Sequence, residues 1–499
     1  MNTVSFRTQP PPVPEPLQSW RFRDLVTRRV LQVVSSSVAL LVLLAVLAGA
    51  ADGLPAAGRT TLVVFTAAVA LWVFTKIDDT YVALGAALAL VLTGVVSTDG
   101  LFDTLGEETI WLLIAAFIIA AGVRESGLAT RAAVFIVSGA GTVRQLAHLV
   151  TAALIVTAFA IPATSGRAAL ALPVFLALAQ ALAERKRVVR ALAILFPTVI
   201  LLSAVATLIG AGAHLITSQV LESATGTGIS FTAWLLLGVP LAVVSSHCSA
   251  ELVLLLFTDR EDRRIPLAVN VSDLASRLPT PVTGPLTIAE NRAATLLAVV
   301  MVLWCSEPLH GVHPAVIALL GALISTSPRF GTTEFGKALA TVPWSLLLFM
   351  AATLALGTAL TTSGAAGWLS DGLFTVVPIG SAPPWVFIAV VIVVSVASHL
   401  LIQSRSARSS VLVPLVVTTA LALGVDPVAA AFASTAAAGF CHTMPSSAKP
   451  VAIFAKAEGV ETYSPKDLLR LSAFLAPLTA ATVLFFAVFV WPLLGTPIA

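Results

Sequence analysis

Ala163-Thr164-Ser165-Gly166-Arg167-Ala168-Ala169-Leu170-Ala171-Leu172-Pro173 returns later in the chain as Ser404-Arg405-Ser406-Ala407-Arg408-Ser409-Ser410-Val411-Leu412-Val413-Pro414, 241 positions on, Arg167 matching Arg408 and Pro173 matching Pro414. In each copy an apolar run halts at small and hydroxyl residues, an arginine stands six residues before a proline, and a second apolar run of helical length follows. Each apolar arm is about 15 to 18 residues, short of the roughly 20 that cross the hydrocarbon comfortably. The pattern predicts a helical hairpin that enters a membrane, turns at its polar tip and leaves on the side it came from. Irregular backbone and a charge at that depth are tolerated only inside protein or beside a watery cavity. The two tips are therefore candidate binding sites.

The composition places the hairpins in a polytopic membrane protein. Only 11% of the 499 residues are charged and 58% are hydrophobic, with mean hydropathy +0.98, against roughly 25% charge in a soluble domain. The net charge is +3, and the basic residues sit in short clusters between apolar runs, as topology-setting loops do, which argues against a nucleic-acid surface. Cys248, Cys305 and Cys441 are too scattered for a disulfide framework or a zinc site. The amino terminus carries Arg7, Arg21, Arg23, Arg28 and Arg29 around a proline-rich stretch, and the first apolar run lacks a small-residue cleavage site. A cleaved signal peptide is not expected.

In chain order, residues 1–29 read as a cytoplasmic tail, since a polar, proline-containing segment buries too little apolar surface to order itself. Val33 to Ala50, Thr61 to Lys76, Tyr81 to Val96 and Ile110 to Val123 follow as four spans. The first hairpin runs from Ala147 to Leu182 and ends at the basic Glu184-Arg185-Lys186-Arg187, which predicts that both its ends are cytoplasmic. A fifth span, Val188 to Leu221, is overlong and is read as broken at Gly210 to His214, where glycine weakens the helix. A sixth, Phe231 to Phe257, leads into a polar linker at 258–292. The second half repeats the plan: spans near Ala294 to Cys305, Pro314 to Ile324 and Ser345 to Thr362, a hairpin from Pro384 to Leu423, a span from Asp426 to Lys456 broken at His442 to Pro450, and a last span from Leu471 to Leu494. Counting crossings from a cytoplasmic tail inverts the second half relative to the first. The expected fold is all-α and polytopic, with about 11 transmembrane helices plus two re-entrant hairpins in inverted repeats, a secondary-transporter architecture.

The helix starts after the tips suit a carboxylate or other oxyanion, because their backbone N–H groups are unpaired and the dipole is positive there. Arg167 and Arg408 just inside the second arms, Arg405 in the second tip, and His214 and Lys449 in the helix breaks add cations, which together predict an anionic ligand. For the arginines the bland alternative is pairing with a carboxylate or carbonyls, or snorkelling. For His214 and His442 it is a buried, hydrogen-bonded ring, and His247, Glu251 and His399 are read as structural. Thr164, Ser165, Ser404, Ser406, Ser446 and Ser447 can cap helices and still face a cavity.

At these residues the chain resembles the divalent anion/sodium symporter family, carriers of dicarboxylates, citrate and sulfate. The likeness runs from about residue 30 through the order of spans, hairpins and broken helices, and includes Trp344 after Val342-Pro343. Family tips usually read Ser-Asn-Thr; here the triplets are Ala163-Thr164-Ser165 and Ser404-Arg405-Ser406. Family breaks typically read Thr-Pro-Pro-Asn; here they are Ala211-Gly212-Ala213-His214 and Ala448-Lys449-Pro450-Val451. The resemblance implies a homodimer with scaffold helices at 30–146 and 293–364. It implies a moving transport domain at 147–257 and 384–499, carrying substrate by an elevator motion, with tip and break residues making the substrate and sodium sites.

The expected function is secondary active transport of small multivalent anions, di- or tricarboxylates, with the substrate held by Thr164, Ser165, Arg167, His214, Ser404, Arg405, Ser406, Arg408, Ser447 and Lys449. The departures at the tips predict sodium-independent exchange or proton coupling, with a residual sodium site near Thr164 and Ser165 left open and no other metal or cofactor. Sodium-coupled symport and sulfate uptake are the alternatives. An intramembrane enzyme is disfavoured because the tips lack paired carboxylates, a metal-ligand motif or a Ser/His/Asp arrangement. An anion channel is disfavoured because internal hairpins occlude rather than line a pore. The expected partners are the small anion, membrane lipid and a second copy of the chain, in a bacterial plasma membrane with the amino terminus cytoplasmic.

Overall fold

A computed structural model describes residues 53–264, 266–267, 275–276, 278, 282–376, 382–457 and 459–498. The predicted tail 1–29, the predicted span Val33 to Ala50 and part of the predicted linker 258–292 lie outside them. Among the described residues all regular structure is helical, and nine helices are long and apolar enough to cross a membrane, with shorter apolar helices beside them.

Among the described residues, eighteen helices of seven residues or more fall into two sets of nine. The first set is α1 (Ala56–Phe74), α2 (Asp79–Leu92), α3 (Glu108–Ser126), α4 (Leu128–Val137), α5 (Val143–Ala160), α6 (Thr164–Ala181), α7 (Lys186–Leu202), α8 (Gly212–Thr225) and α9 (Phe231–Phe257). The second is α10 (Ile288–Cys305), α11 (Pro314–Ser325), α12 (Trp344–Thr362), α13 (Ala365–Val376), α14 (Pro384–Ala397), α15 (Arg405–Leu423), α16 (Pro427–Ala437), α17 (Lys449–Ala455) and α18 (Pro465–Phe485). Three consecutive helices of each set start 241 positions apart, at 143 and 384, 164 and 405, and 186 and 427. The register seen at the tips thus extends through both hairpins into the following helix.

The helix ends have local causes. Asp78 accepts from the backbone N–H groups of Thr80 and Tyr81 to start α2, and capping boxes at Thr287/Glu290 and Ser464/Asp467 start α10 and α18. Left-handed glycines, Gly127 at φ 80° and Gly364 at φ 77°, follow α3 and α12 and turn the chain into α4 and α13. These two connector helices were not anticipated as separate elements from hydropathy. The sixth span has the predicted bounds, and both predicted hairpins are present as α5–α6 and α14–α15.

The breaks differ from expectation. α7 ends at Leu202, well before the glycines; two short 3-10 turns, Ser203–Ala206 and Leu208–Gly210, intervene before α8 begins at Gly212. Thr207 and Ala211 are extended, and a Cβ on Gly210 would lie 2.1 Å from the Ala204 carbonyl oxygen. The glycine is needed for close backbone approach, not merely for a weakened helix. The second break opens after Ala437, also earlier than predicted, and closes at Lys449.

The halves interlock. α6 of the first half packs on α17 of the second, and α15 of the second on α8 of the first; α2 packs on α12, α11 on α3, and α9 on α18. Exchanging the halves leaves this pattern unchanged. A ring cluster of Phe175, Phe196 and Phe454 joins α6, α7 and α17 at centroid distances of 5.4 to 5.5 Å. Trp234 of α9 stacks on His214 and meets Phe432 of α16.

α9 lies directly on the first break. The Trp234 indole donates to the Val205 carbonyl at 2.9 Å, and a Cβ on Gly238, one turn later, would sit 2.1 Å from the same oxygen. Gly238→Ala is expected to cost about 1 to 3 kcal/mol through overpacking, read as a lowered unfolding midpoint of the detergent-solubilised protein. Gly85→Ala, where nothing lies within 4 Å, should leave the midpoint unchanged or raise it.

Candidate functional site

Four helices begin at the wall of one cavity of about 530 Å³. α6 starts behind Ala163, α8 behind Ala211, α15 behind Ser404 and α17 behind Ala448, and all four flanking residues line the cavity with the first residue of each helix. A helix start leaves its first N–H groups without intrahelical partners and carries the positive end of the peptide dipoles, worth about half a charge. Only at α15 does a side chain help, where Ser404 Oγ accepts from the Ala407 N–H at 3.3 Å. Alanine at the other three positions has no cap to offer.

The first tip turns in three residues. Pro162 restricts Ile161 to extended backbone, and the reversal is completed at Ala163, whose φ of 69° is the only positive φ of a non-glycine among the described residues. Such a conformation costs about 1 to 3 kcal/mol. The break before α8 is held tightly against the second tip. A Cβ on Gly212 would meet Ser406 Oγ at 3.2 Å and Leu346 at 2.8 Å.

Of the ten residues the sequence singles out, the structure brings seven to this cavity: Thr164, Ser165, Ser404, Arg405, Ser406, Ser447 and Lys449. Arg167, His214 and Arg408 do not line it, and each is 0% exposed. The Arg167 guanidinium donates to Thr157 Oγ1 at 3.0 Å, to the Ile200 carbonyl at 3.0 Å, and to the Leu154 carbonyl and Ser203 Oγ at 2.6 and 2.7 Å. It ties the hairpin to the end of α7. His214 bonds the Thr207 carbonyl through Nδ1 at 2.9 Å while its ring lies 4.9 Å from Trp234. Arg408 donates through Nη1 to the Phe440 carbonyl at 3.3 Å, and its Nε and Nη2 have no partner among the described residues. Nε and Nη1 of Arg405 are likewise buried and unpartnered.

The histidines read as structural do hold protein contacts. His399 bridges the Val396 carbonyl and Thr443 Oγ1, and His148 joins His247 at 2.8 Å and Glu251 at 2.6 Å, with Arg144 on the same carboxylate. Residues that sequence reasoning missed include Arg124 and Asp79, which also line the cavity. Arg124 closes a span like an ordinary topology-setting residue, and Asp79 sits beside the helix cap Asp78, so neither carried a signal of its own. Asp79 is the one carboxylate in a wall that holds Arg124, Arg405 and Lys449. A second cavity of about 600 Å³ is lined by Asp103, Glu107, Glu108, Glu222 and Glu307, a charge pattern opposite to what an anion needs.

The sodium:sulfate symporter transmembrane region, a family profile, matches residues 29–496. A membrane protein of Cupriavidus necator is 24% identical over 480 residues, covering 92% of this chain and 91% of that protein. The sodium-dependent dicarboxylate transporter SdcS of Staphylococcus saprophyticus is 24% identical over 424 residues, covering 78% of this chain and 79% of its own length. In fold, the chain is similar to the crystal structure of the Alcanivorax borkumensis YdaH transporter, with TM-score 0.53 at 14% identity, covering 89% of this chain and 99% of that one.

The contrast between Arg167 and the cavity wall can be measured. Arg167→Met removes four hydrogen bonds of a buried guanidinium, and charge-assisted bonds of this kind are worth about 1.5 to 3 kcal/mol each. A large drop in the unfolding midpoint is expected. Thr164→Ala and Ser165→Ala should hold the wild-type midpoint closely while weakening binding of succinate or sulfate.

Proposed function

This chain belongs to the sodium:sulfate symporter family, and from that premise we propose that it is a secondary active transporter of small di- or tricarboxylates, working by an elevator motion and independent of sodium. Membership makes it an integral membrane transporter of anions and not an enzyme. The observation that carries the finer reading is the convergence of four helix starts, three of them uncapped, with Arg124, Arg405 and Lys449 on one cavity. Unpaired N–H groups and fixed cations both favour a compact anion of more than one charge. The volume of about 530 Å³ falls in the range of small-molecule sites.

In this reading Thr164, Ser165 and the start of α8 hold one end of the substrate, and Ser404, Arg405, Ser406, Ser447 and Lys449 hold the other. Arg167 acts from behind, by fixing the first tip, and His214 by filling the space beneath the first break. Dicarboxylates are favoured over sulfate because two separated anionic ends match two tips that face each other across a cavity. The relative named as a dicarboxylate transporter is consistent with that choice. α5–α9 and α14–α18 move together as the transport unit, since α6 packs on α17, α15 on α8 and α9 on α18, while α1–α3 and α10–α12 form the scaffold of a homodimer.

Sodium independence rests on Arg405. Sodium is held by several convergent oxygens, and a guanidinium in the second tip places a like charge where the ion would sit. At about 4 Å that repulsion is roughly 4 kcal/mol at an effective dielectric of 20. Coupling then falls to exchange or to protons. The test is uptake of labelled succinate into proteoliposomes, with sodium replaced by potassium or choline and with counter-anion inside or absent. Uptake driven by internal anion and indifferent to the cation is expected. Uptake abolished without sodium and restored by it overturns the reading, and excess sulfate that competes more strongly than any dicarboxylate reassigns the substrate.

A further inference from the structure

Asp79 stands apart from the rest of the cavity wall, and its neighbour has already done the work a carboxylate usually does there. Asp78 is the cap of α2, accepting from the N–H groups of Thr80 and Tyr81 at 2.9 and 3.3 Å. The Asp79 side chain is left half-buried in the cavity wall, which Ser404 and Lys449 also line. The Trp72 indole donates to the Asp79 backbone carbonyl at 3.2 Å, and the next residue is tied to α12 by Thr80 Oγ1, which donates to the Ser345 carbonyl at 3.0 Å. The carboxylate thus stands at the start of α2, anchored to α1 and α12, in a wall shared with the second tip and second break.

We propose that Asp79 is the resident counter-anion of the empty cavity and the group that links anion binding to proton uptake: an incoming dianion takes its place beside the wall cations, and the displaced carboxylate accepts a proton from solvent. The inference rests on the anion-carrier reading and deepens it by naming the group that makes anion binding pH-dependent. Its physics is like-charge exclusion. A dianion and an ionised carboxylate in one cavity of limited polarity repel, and protonation removes the repulsion, so binding and proton uptake are linked. The charged groups around Asp79 are Asp78 beside it, and Arg124, Arg405 and Lys449 in the wall. Lys76 lies in the exposed connection before α2, α1 contributes only Arg59 near its opposite end, and α12 contributes none. Asp99 and Asp103 follow the far end of α2. The wall cations Arg124, Arg405 and Lys449 are therefore the ones that Asp79 and substrate share.

The test uses the full chain in lipid nanodiscs with labelled succinate and labelled sulfate at about pH 6.5 to 9, where both probes are dianions. Proton uptake is followed by an indicator dye in weak buffer. Wild type should weaken by up to about tenfold per pH unit above the titration of Asp79 and take up as much as one proton per anion bound. Asp79→Asn should bind at high pH at least as tightly as wild type at low pH, with a flat profile and no linked proton, while Asp79→Glu retains uptake. The difference between wild type and Asp79→Asn is what is read, so protons taken up elsewhere in the chain cancel. Wild-type binding without proton uptake, or an Asp79→Asn protein with the wild-type slope and stoichiometry, overturns the inference. Failure of well-folded wild type to bind either dianion overturns the carrier reading on which it rests.

Discussion

A helix start leaves N–H groups that its own turn cannot satisfy, and much of this protein is arranged around that constraint. Two hairpin tips and two helix breaks create four such starts. The fold brings them to one cavity instead of burying each separately. Because α6 packs on the second half's α17 and α15 on the first half's α8, neither half completes the site alone. The interlocking of the repeats and the concentration of positive potential have the same cause.

The duplicated arginines show how far two copies of one motif can diverge. Arg167 finds two carbonyls and two hydroxyls, and its charge is absorbed entirely by the protein. Arg408, at the matching position, has the Phe440 carbonyl and two unpartnered nitrogens, and Arg405 one turn before it has two more. The first copy is a structural tie and the second is under-satisfied. This asymmetry places the free cationic character of the site at the second tip, where Arg405 and Lys449 meet the cavity. It is also where Asp79 supplies the wall's one negative charge.

Strain and close approach are concentrated in the same region. Ala163 holds a positive φ at the first tip, and Gly210 and Gly212 sit where a methyl group would collide with backbone or with the facing tip. A backbone this constrained presents its N–H groups with little reorganisation, which is what electrostatic recognition of a small anion requires.

Hydropathy and register alone determined the helical class, the two hairpins, the existence of two breaks and the doubling of the plan, since the cost of polar backbone in hydrocarbon acts locally on every segment. Phe231–Phe257 was legible to its ends because Ser230 and Thr258-Asp259-Arg260 flank a mainly apolar run. The limits of the breaks were not, because glycine marks where a chain can bend while the collision between Gly210 and Ala204 decides where it must. The gathering of tips, hydroxyls, Arg405 and Lys449 could be anticipated from the repeat. Which arginine faces the cavity could not: a long side chain reaches either way, and Arg167 was claimed by Ile200 and Ser203, which only packing of α6 on α7 brings near. Asp79 depended wholly on tertiary structure, because Arg405 and Lys449, which share its cavity wall, belong to the other half of the chain and a carboxylate at a helix start has no local mark that separates a cap from a site.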